Sequence, residues 1–174
     1  MPVQGSGRFA VAPVRPAQQD PGEAVSFTVE IEVDLPFVPG RTAEVIGKVL
    51  EDERGWSARG AAPFVQVPGR GDLRIVVASP ATTDLMCAPL ETRGRVSCRN
   101  GALVVINARR WAFGISDYRG RLGDYRRYVV NHEVGHALGE PHVECPGAGE
   151  PAPVMLQQTY GLDGCARNPW PGVA

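Results

Sequence analysis

The stretch from His132 to His142 reads HEVGHALGEPH and holds all three histidines of the chain. Concentrating every imidazole around Glu133, Gly135 and Gly139 points to a metal site, because neutral imidazole is the side chain most often used to bind transition metals. Residues four apart on an α-helix differ by about 40° in azimuth and about 6 Å in height, so His132 and His136 can aim at one ion at zinc–nitrogen distances of about 2.0 to 2.1 Å. Glu133 projects beside that ion, where its carboxylate can take a proton from a water on the metal and later return it to a leaving group. Gly139 stands where the chain must leave the helix, and glycine tolerates the left-handed conformation such a turn requires. The turn brings round His142 as the third ligand. Three imidazoles and one water make an open tetrahedral zinc site in which the water is acidified toward neutral pH.

The element that must carry this site is a helix over Leu122 to Leu138, a stretch without proline. Tyr125, Val129, His132 and His136 lie near one face, and Val130, Val134, Ala137 and Leu138 lie beside it. The run Tyr125, Arg126, Arg127, Tyr128 reads as its first turns, with tyrosines against the sheet and arginines in solvent. Upstream, Phe27, Val29, Ile31, Val33 and Leu35 alternate with polar residues, the pattern of a strand with one wet face, ended by Pro36. Thr42 is expected to cap a helix carrying Ala43, Ile46 and Leu50 on its apolar stripe, with Gly55 as its stop. Phe64 to Val67 and Leu73 to Ala78 read as further strands. Asn100-Gly101 between Val96 to Arg99 and Ala102 to Ile106 signals a hairpin. Beyond Gly139 the chain is rich in proline and glycine and is expected to be mostly irregular.

Residues 1–24, with Gly5, Gly7, Pro13, Pro16, Pro21 and Gly22, read as a linker or N-terminal arm, and 25–174 as one domain. The chain of 174 residues is 43% hydrophobic and 21% charged with a formal net charge of -1, so it has no basic field to attract nucleic acid. No apolar run is long enough to span a bilayer, and the chain has no signal-peptide pattern. A monomer is expected.

The chain has four cysteines and no CxxC. Cys87 with Cys98 and Cys145 with Cys165 is the simplest of the three pairings, each bridge worth about 2 to 4 kcal/mol. Such bridges favour an oxidising compartment. Four buried free thiols, and Cys145 as a metal ligand three residues after His142, are the alternatives.

With His132, Glu133, His136, Gly139 and His142 in register, the HExxHxxGxxH pattern resembles the zinc signature of the metzincin metallopeptidases. The resemblance implies an α+β fold: a mixed β-sheet, an active-site helix forming the cleft floor and a small irregular C-terminal lobe. It implies that Met155 in PAPVMLQQT is the methionine turn that floors the metal. It also implies a sheet-edge strand that holds substrate, for which Leu103 to Trp111 or Ala112 to Gly114 is the expected segment. Gln157 stands two residues after Met155, where some members have a tyrosine that reaches the metal, and Tyr160 is the nearest candidate for that role.

The chain is also similar to an uncharacterised family of exported, often membrane-anchored domains from high-GC Gram-positive bacteria. That similarity is carried by Gly55-Trp56, Ser97-Cys98-Arg99, Arg110-Trp111, NHEVGHALG, CPGAGEPAPVM and the final NPWP. The expected function is zinc-dependent endopeptidase action on a protein or peptide substrate, with Glu133 activating the water. The location expected is extracellular or cell-envelope, secreted or anchored through an upstream segment. A non-catalytic zinc-stabilised binding module of the envelope and an amidase acting on cell-wall peptides are the competing readings.

Overall fold

The computed structural model describes residues 1–14 and 23–173. It is an α+β structure built on a six-stranded mixed sheet. The elements run β1 (Phe9–Val11), β2 (Val25–Glu32), α1 (Pro39–Leu50), a 3-10 turn at Trp56–Arg59, β3 (Phe64–Gln66), β4 (Leu73–Ala78) and α2 (Pro80–Cys87). They continue with β5 (Cys98–Asn100), β6 (Leu103–Asn107), α3 (Ala108–Phe113), a 3-10 turn at Ser116–Tyr118 and α4 (Leu122–Ala137). The sheet order is β1-β2-β4-β6-β5, with β3 on the outer edge of β2. Strands β2, β4 and β6 are mutually parallel, whereas β1 and β5 run antiparallel to their neighbours.

Period-two alternation decides the two faces. Phe27, Val29, Ile31, Ile75, Val77, Val104 and Ile106 point to one side, where α1 contributes Ala43, Ile46, Val49 and Leu50, and α4 contributes Tyr125, Val129, Val130 and Val134. At about 1.5 to 3 kcal/mol per buried apolar side chain, this layer dominates the stabilisation of the fold. The opposite face of the inner strands is covered by α2, with Val76, Ala78, Val105 and the Cys87–Cys98 bridge in a second cluster. The sequence is silent about α2: PATTDLMC carries no apolar stripe, and the helix owes its position to Pro80 at its first turn and Cys87 at its last.

Several local expectations are corrected. The polar face of β2 is not wet: Thr28 and Glu32 are buried, and the strand ends at Glu32 rather than Leu35. Thr42 does not cap α1. Pro39 opens that helix, Thr42 is buried inside it, and Gly55 instead precedes the 3-10 turn. The hairpin is shifted by one residue, since Asn100 pairs with Leu103 and Gly101 is the first central residue, with φ of 61°. That is the Gly-first arrangement of a type II′ turn, which needs positive φ at only one centre.

Leu103–Asn107 is an interior strand and Ala108–Phe113 is a helix capped by the Asn107 side chain, so neither segment expected at the sheet edge is there. The edge beside α4 is β5. Tyr125 and Tyr128 pack in the buried cluster on the sheet face, as expected, and send their hydroxyls on to Thr159 and the Leu156 carbonyl. Arg126 is not free in solvent but lies over Trp111, with its Nε donating to the Trp111 carbonyl.

The expected linker holds an edge strand: Phe9, Ala10 and Val11 pair with Glu32, Ile31 and Glu30. Pro16, Pro21 and Gly22 lie outside the described residues. What fixes the arm is Glu32, whose buried carboxylate accepts from Gly7 N–H at 2.8 Å, Ser79 N–H at 2.6 Å and the Thr82 hydroxyl at 2.7 Å. Burial alone would raise the Glu32 pKa, but the hydrogen bonds from Ser79, Gly7 and Thr82 outweigh it and hold it below the ordinary glutamate value.

A carboxylate with a depressed folded pKa contributes stability that is present above its unfolded value and lost as the pH falls through the folded one. Glu32→Gln should therefore cost on the order of 3 kcal/mol near neutral pH, because it strands buried donors. It should also flatten the loss of stability below about pH 4.5, the unfolded value of the group. Urea unfolding at neutral and acid pH reads both effects; an unchanged acid limb would refute this account of the arm.

Candidate metal centre

The described residues bring His132, His136 and His142 together, with candidate ligand nitrogens all within 4.8 Å of one another. The ring centroids of His132 and His136 are 4.8 Å apart, and those of His136 and His142 are 4.5 Å apart. His132 is buried, His136 half-buried and His142 exposed, so the cluster opens to one side.

Second contacts fix the rings. His132 Nδ1 lies 2.9 Å from the Val154 carbonyl and His136 Nδ1 lies 2.9 Å from the Glu140 carbonyl. A carbonyl oxygen can only accept, so each ring carries its proton on Nδ1 and keeps an unshared pair on Nε2. His136 Nε2 then faces His142 Nε2 at 3.0 Å. Two lone pairs with settled tautomers, converging with a third imidazole, fit a metal ion. Burial pushes the His132 pKa down to about 3, with smaller opposing and supporting effects from Val154, His136 and His142, so the ring stays in the neutral, ligating form. Burial and then the neighbouring His136 lower that of His142 as well.

The turn at Gly139 does what the sequence asks of it, with φ of 94°. Glu140 N–H donates to Gly135 O at 2.9 Å and Gly139 N–H to His136 O at 3.2 Å, the two bonds of a Schellman motif. The same turn presents the Glu140 carbonyl to His136. One local structure thus ends α4, orients its second histidine and sends the chain back to His142.

Met155 is buried beneath α4, where a Cβ built on Gly135 would stand 2.5 Å from Met155 Sδ and 2.4 Å from the Trp56 ring. Met155 O accepts from Val143 N–H at 3.2 Å, which pins the residue after His142. Trp56 Nε1 donates to the Asn131 carbonyl at 2.9 Å. The contributions of Trp56, Val154 and Glu140 are not readable from residue types, since two of them act through backbone carbonyls. Gly135, a glycine in the interior of α4, is the one signal that something approaches closely there.

Glu133 is buried and lines a cleft of about 360 Å³ with the three histidines. Burial pushes its pKa up to about 8. One wall of the cleft is the loop 88–97 with the start of β5, presenting Leu90, Thr92, Val96, Ser97 and Arg99; the other is the segment after Met155, presenting Gln157, Thr159 and Tyr160. Tyr128 closes the floor behind His132, with ring centroids 5.3 Å apart.

Both disulfides form as expected, Cys87–Cys98 and Cys145–Cys165, which removes Cys145 as a ligand. The second closes the loop that carries Val154 and Met155. That loop has little regular structure and is knotted by buried amides. Gln158 accepts from the Tyr118 hydroxyl and donates to Pro153 O and Asn168 O, and Asn168 donates to Ala152 O, Trp170 O and Val173 O. Tyr160 stands exposed on the cleft rim.

The described residues contain no helix long and apolar enough to cross a membrane. The two disulfides are compatible with an extracellular location. A family profile described as "Protein of unknown function (DUF3152)" matches residues 1–171. No curated protein and no solved structure matches the chain.

Gly135→Ala tests the packing under the helix. Helix propensity alone would make alanine about 1 kcal/mol better. The clash with the Trp56 ring and Met155 Sδ should reverse the sign, for a net loss of about 1 to 3 kcal/mol in denaturant unfolding. A stabilised variant would show that Met155 does not seat there.

Proposed function

The chain belongs to the family described as protein of unknown function DUF3152, and we propose that it is a zinc-dependent endopeptidase with a metzincin-like fold. The observation that carries this reading is the pairing of tautomer-fixed imidazoles with a buried Glu133 at the floor of an open cleft. Zinc is the ion favoured by a set of three imidazoles without thiolate or carboxylate ligands, and such a set leaves a coordination position free for chemistry. When bound, zinc supplies Lewis acidity toward a carbonyl oxygen and acidifies water.

The chain's own groups do the rest. His132, His136 and His142 hold the ion, with Val154 and Glu140 keeping the first two rings in register. Glu133 takes a proton from the attacking water and returns it to the leaving amine; burial raises its pKa, and the charge of a bound ion would oppose that shift and keep the carboxylate available as a base. Substrate is held by the β5 edge. A two-residue hairpin closes on a hydrogen-bonded pair, so Asn100 and Cys98 turn their peptide groups to β6, and Arg99 turns its N–H and C=O outward, where an extended peptide can pair.

A purely structural ion, the basis of the envelope-module reading, closes its fourth position and has no use for a buried carboxylate beside it. Glu133 in the open cleft therefore favours catalysis. An amidase cutting wall peptides would use the same residues and is a matter of substrate. The two disulfides support action outside the cytoplasm.

The wild type should bind one zinc per chain by elemental analysis, and His142→Ala should lose it. Glu133→Gln should keep the zinc and lose peptide-library cleavage by about 10²- to 10⁴-fold. Equal cleavage by wild type and Glu133→Gln would sink the enzymatic reading, and zinc retained in His142→Ala would sink the ligand set.

A further inference from the structure

The two walls of the cleft touch at one end. The upper wall, loop 88–97, is fastened by the Cys87–Cys98 bridge and by Asp84, whose carboxylate accepts from the Thr92 hydroxyl and from Gly94 N–H. Arg95 stands at its turn with its backbone held on both sides: its N–H donates to Thr92 O at 2.9 Å, and its carbonyl accepts from Arg110 Nε at 2.6 Å. From this fixed backbone the Arg95 guanidinium reaches the opposite wall and lies over the Tyr160 ring, 5.6 Å from its centroid. Tyr160 itself lines the cleft with the three histidines.

Arg95 has no carboxylate partner among the described residues. Nor does Arg99 on the same wall, whose Nε donates to the Gly101 carbonyl instead. On the same loop Arg93, by contrast, pairs with Glu91. An arginine braced on an aromatic ring, pre-ordered by its backbone and left without a counter-ion, is suited to bidentate recognition of a carboxylate.

Antiparallel addition, the commoner pairing, says which carboxylate. A peptide pairing antiparallel to β5 has its N-terminal side toward Asn100 and its C-terminal side toward Ser97, Val96 and then Arg95. Resting on the peptidase reading, we propose that the site selects peptides carrying a carboxylate shortly beyond the bond to be cut, and that Arg95, braced on Tyr160, receives it. Either a free C-terminal α-carboxylate or an acidic side chain at that place offers the same chemistry.

The test uses the zinc-loaded full chain and one peptide sequence in three forms: free C-terminal acid, C-terminal amide, and amide with glutamate at the penultimate position. Binding is read by fluorescence anisotropy in the Glu133→Gln background, so that affinity is measured without turnover, and cleavage is read in parallel with Glu133 intact. At least one carboxylate form should bind 10-fold or more tightly than the plain amide, and the form that does so identifies the source. In cleavage the preference should sit in KM rather than kcat.

Arg95→Gln should bring the ratio of acid to amide near one with zinc content retained, and Arg95→Lys should restore part of it. Equal affinity for all three forms, an unchanged preference in Arg95→Gln, or no peptide binding overturns the proposal. Selective binding without any cleavage by the Glu133-containing chain sinks the hydrolytic reading and leaves the carboxylate site standing, whereas cleavage without selectivity does the reverse.

Discussion

The arrangement of the candidate metal centre depends on two backbone carbonyls in a segment with little regular structure. Helix geometry sets the spacing of His132 and His136, but it does not set the rotation of the rings. That comes from the Val154 carbonyl on His132 and from the Glu140 carbonyl on His136. A misplaced carbonyl would leave a ring free to turn or to change tautomer, and the converging nitrogens would be lost. The segment bearing Val154 must therefore be held to within a hydrogen bond's tolerance without a ladder of its own. The buried amides of Gln158 and Asn168, Met155 against Gly135, and the Arg54 guanidinium 4.3 Å over Trp170 serve that purpose. Each is a local contact of modest strength, and their number compensates for the missing regular structure.

The sheet plays a complementary part. It buries most of the apolar side chains and gives α4 a rigid bed, while the cleft walls are loops laid over its edge. The upper wall is anchored to β5 and α2, and the lower wall is anchored to α4 through Tyr125 with Thr159 and Tyr128 with the Leu156 carbonyl. The two cleft walls thus come from separate parts of the chain, brought together across α4.

What could be read in the sequence was local and periodic. The bounds of α4, the strand Leu73–Ala78, both disulfide pairings and the glycine turn before His142 each follow from spacing within a window of about twenty residues. What could not be read was set by distant partners. Helix α2 lacks an apolar stripe because only Pro80, Thr82, Thr83 and Cys87 are buried in it. The polar face of β2 is buried because the N-terminal arm and α2 both satisfy Glu32, which no alternation pattern announces. The resemblance puts an edge strand at Leu103 to Trp111 or Ala112 to Gly114, yet burial on both faces marks Leu103–Asn107 as an interior strand, and the edge beside α4 is the short polar Cys98–Asn100. The family of the chain has no described reaction, so the chemical reading rests on the histidines, Glu133 and the carbonyls that orient them.

The Cys145–Cys165 bridge closes the loop that contains Val154 and Met155, and it lies three residues beyond His142. If the histidines bind an ion, oxidation of that pair and occupancy of the site would be linked equilibria. If closing the loop tightens the hold on an ion by some factor, a bound ion must protect the bridge against reduction by the same factor. In that case an oxidising medium would favour the filled site, and the filled site would in turn resist reduction of the bridge.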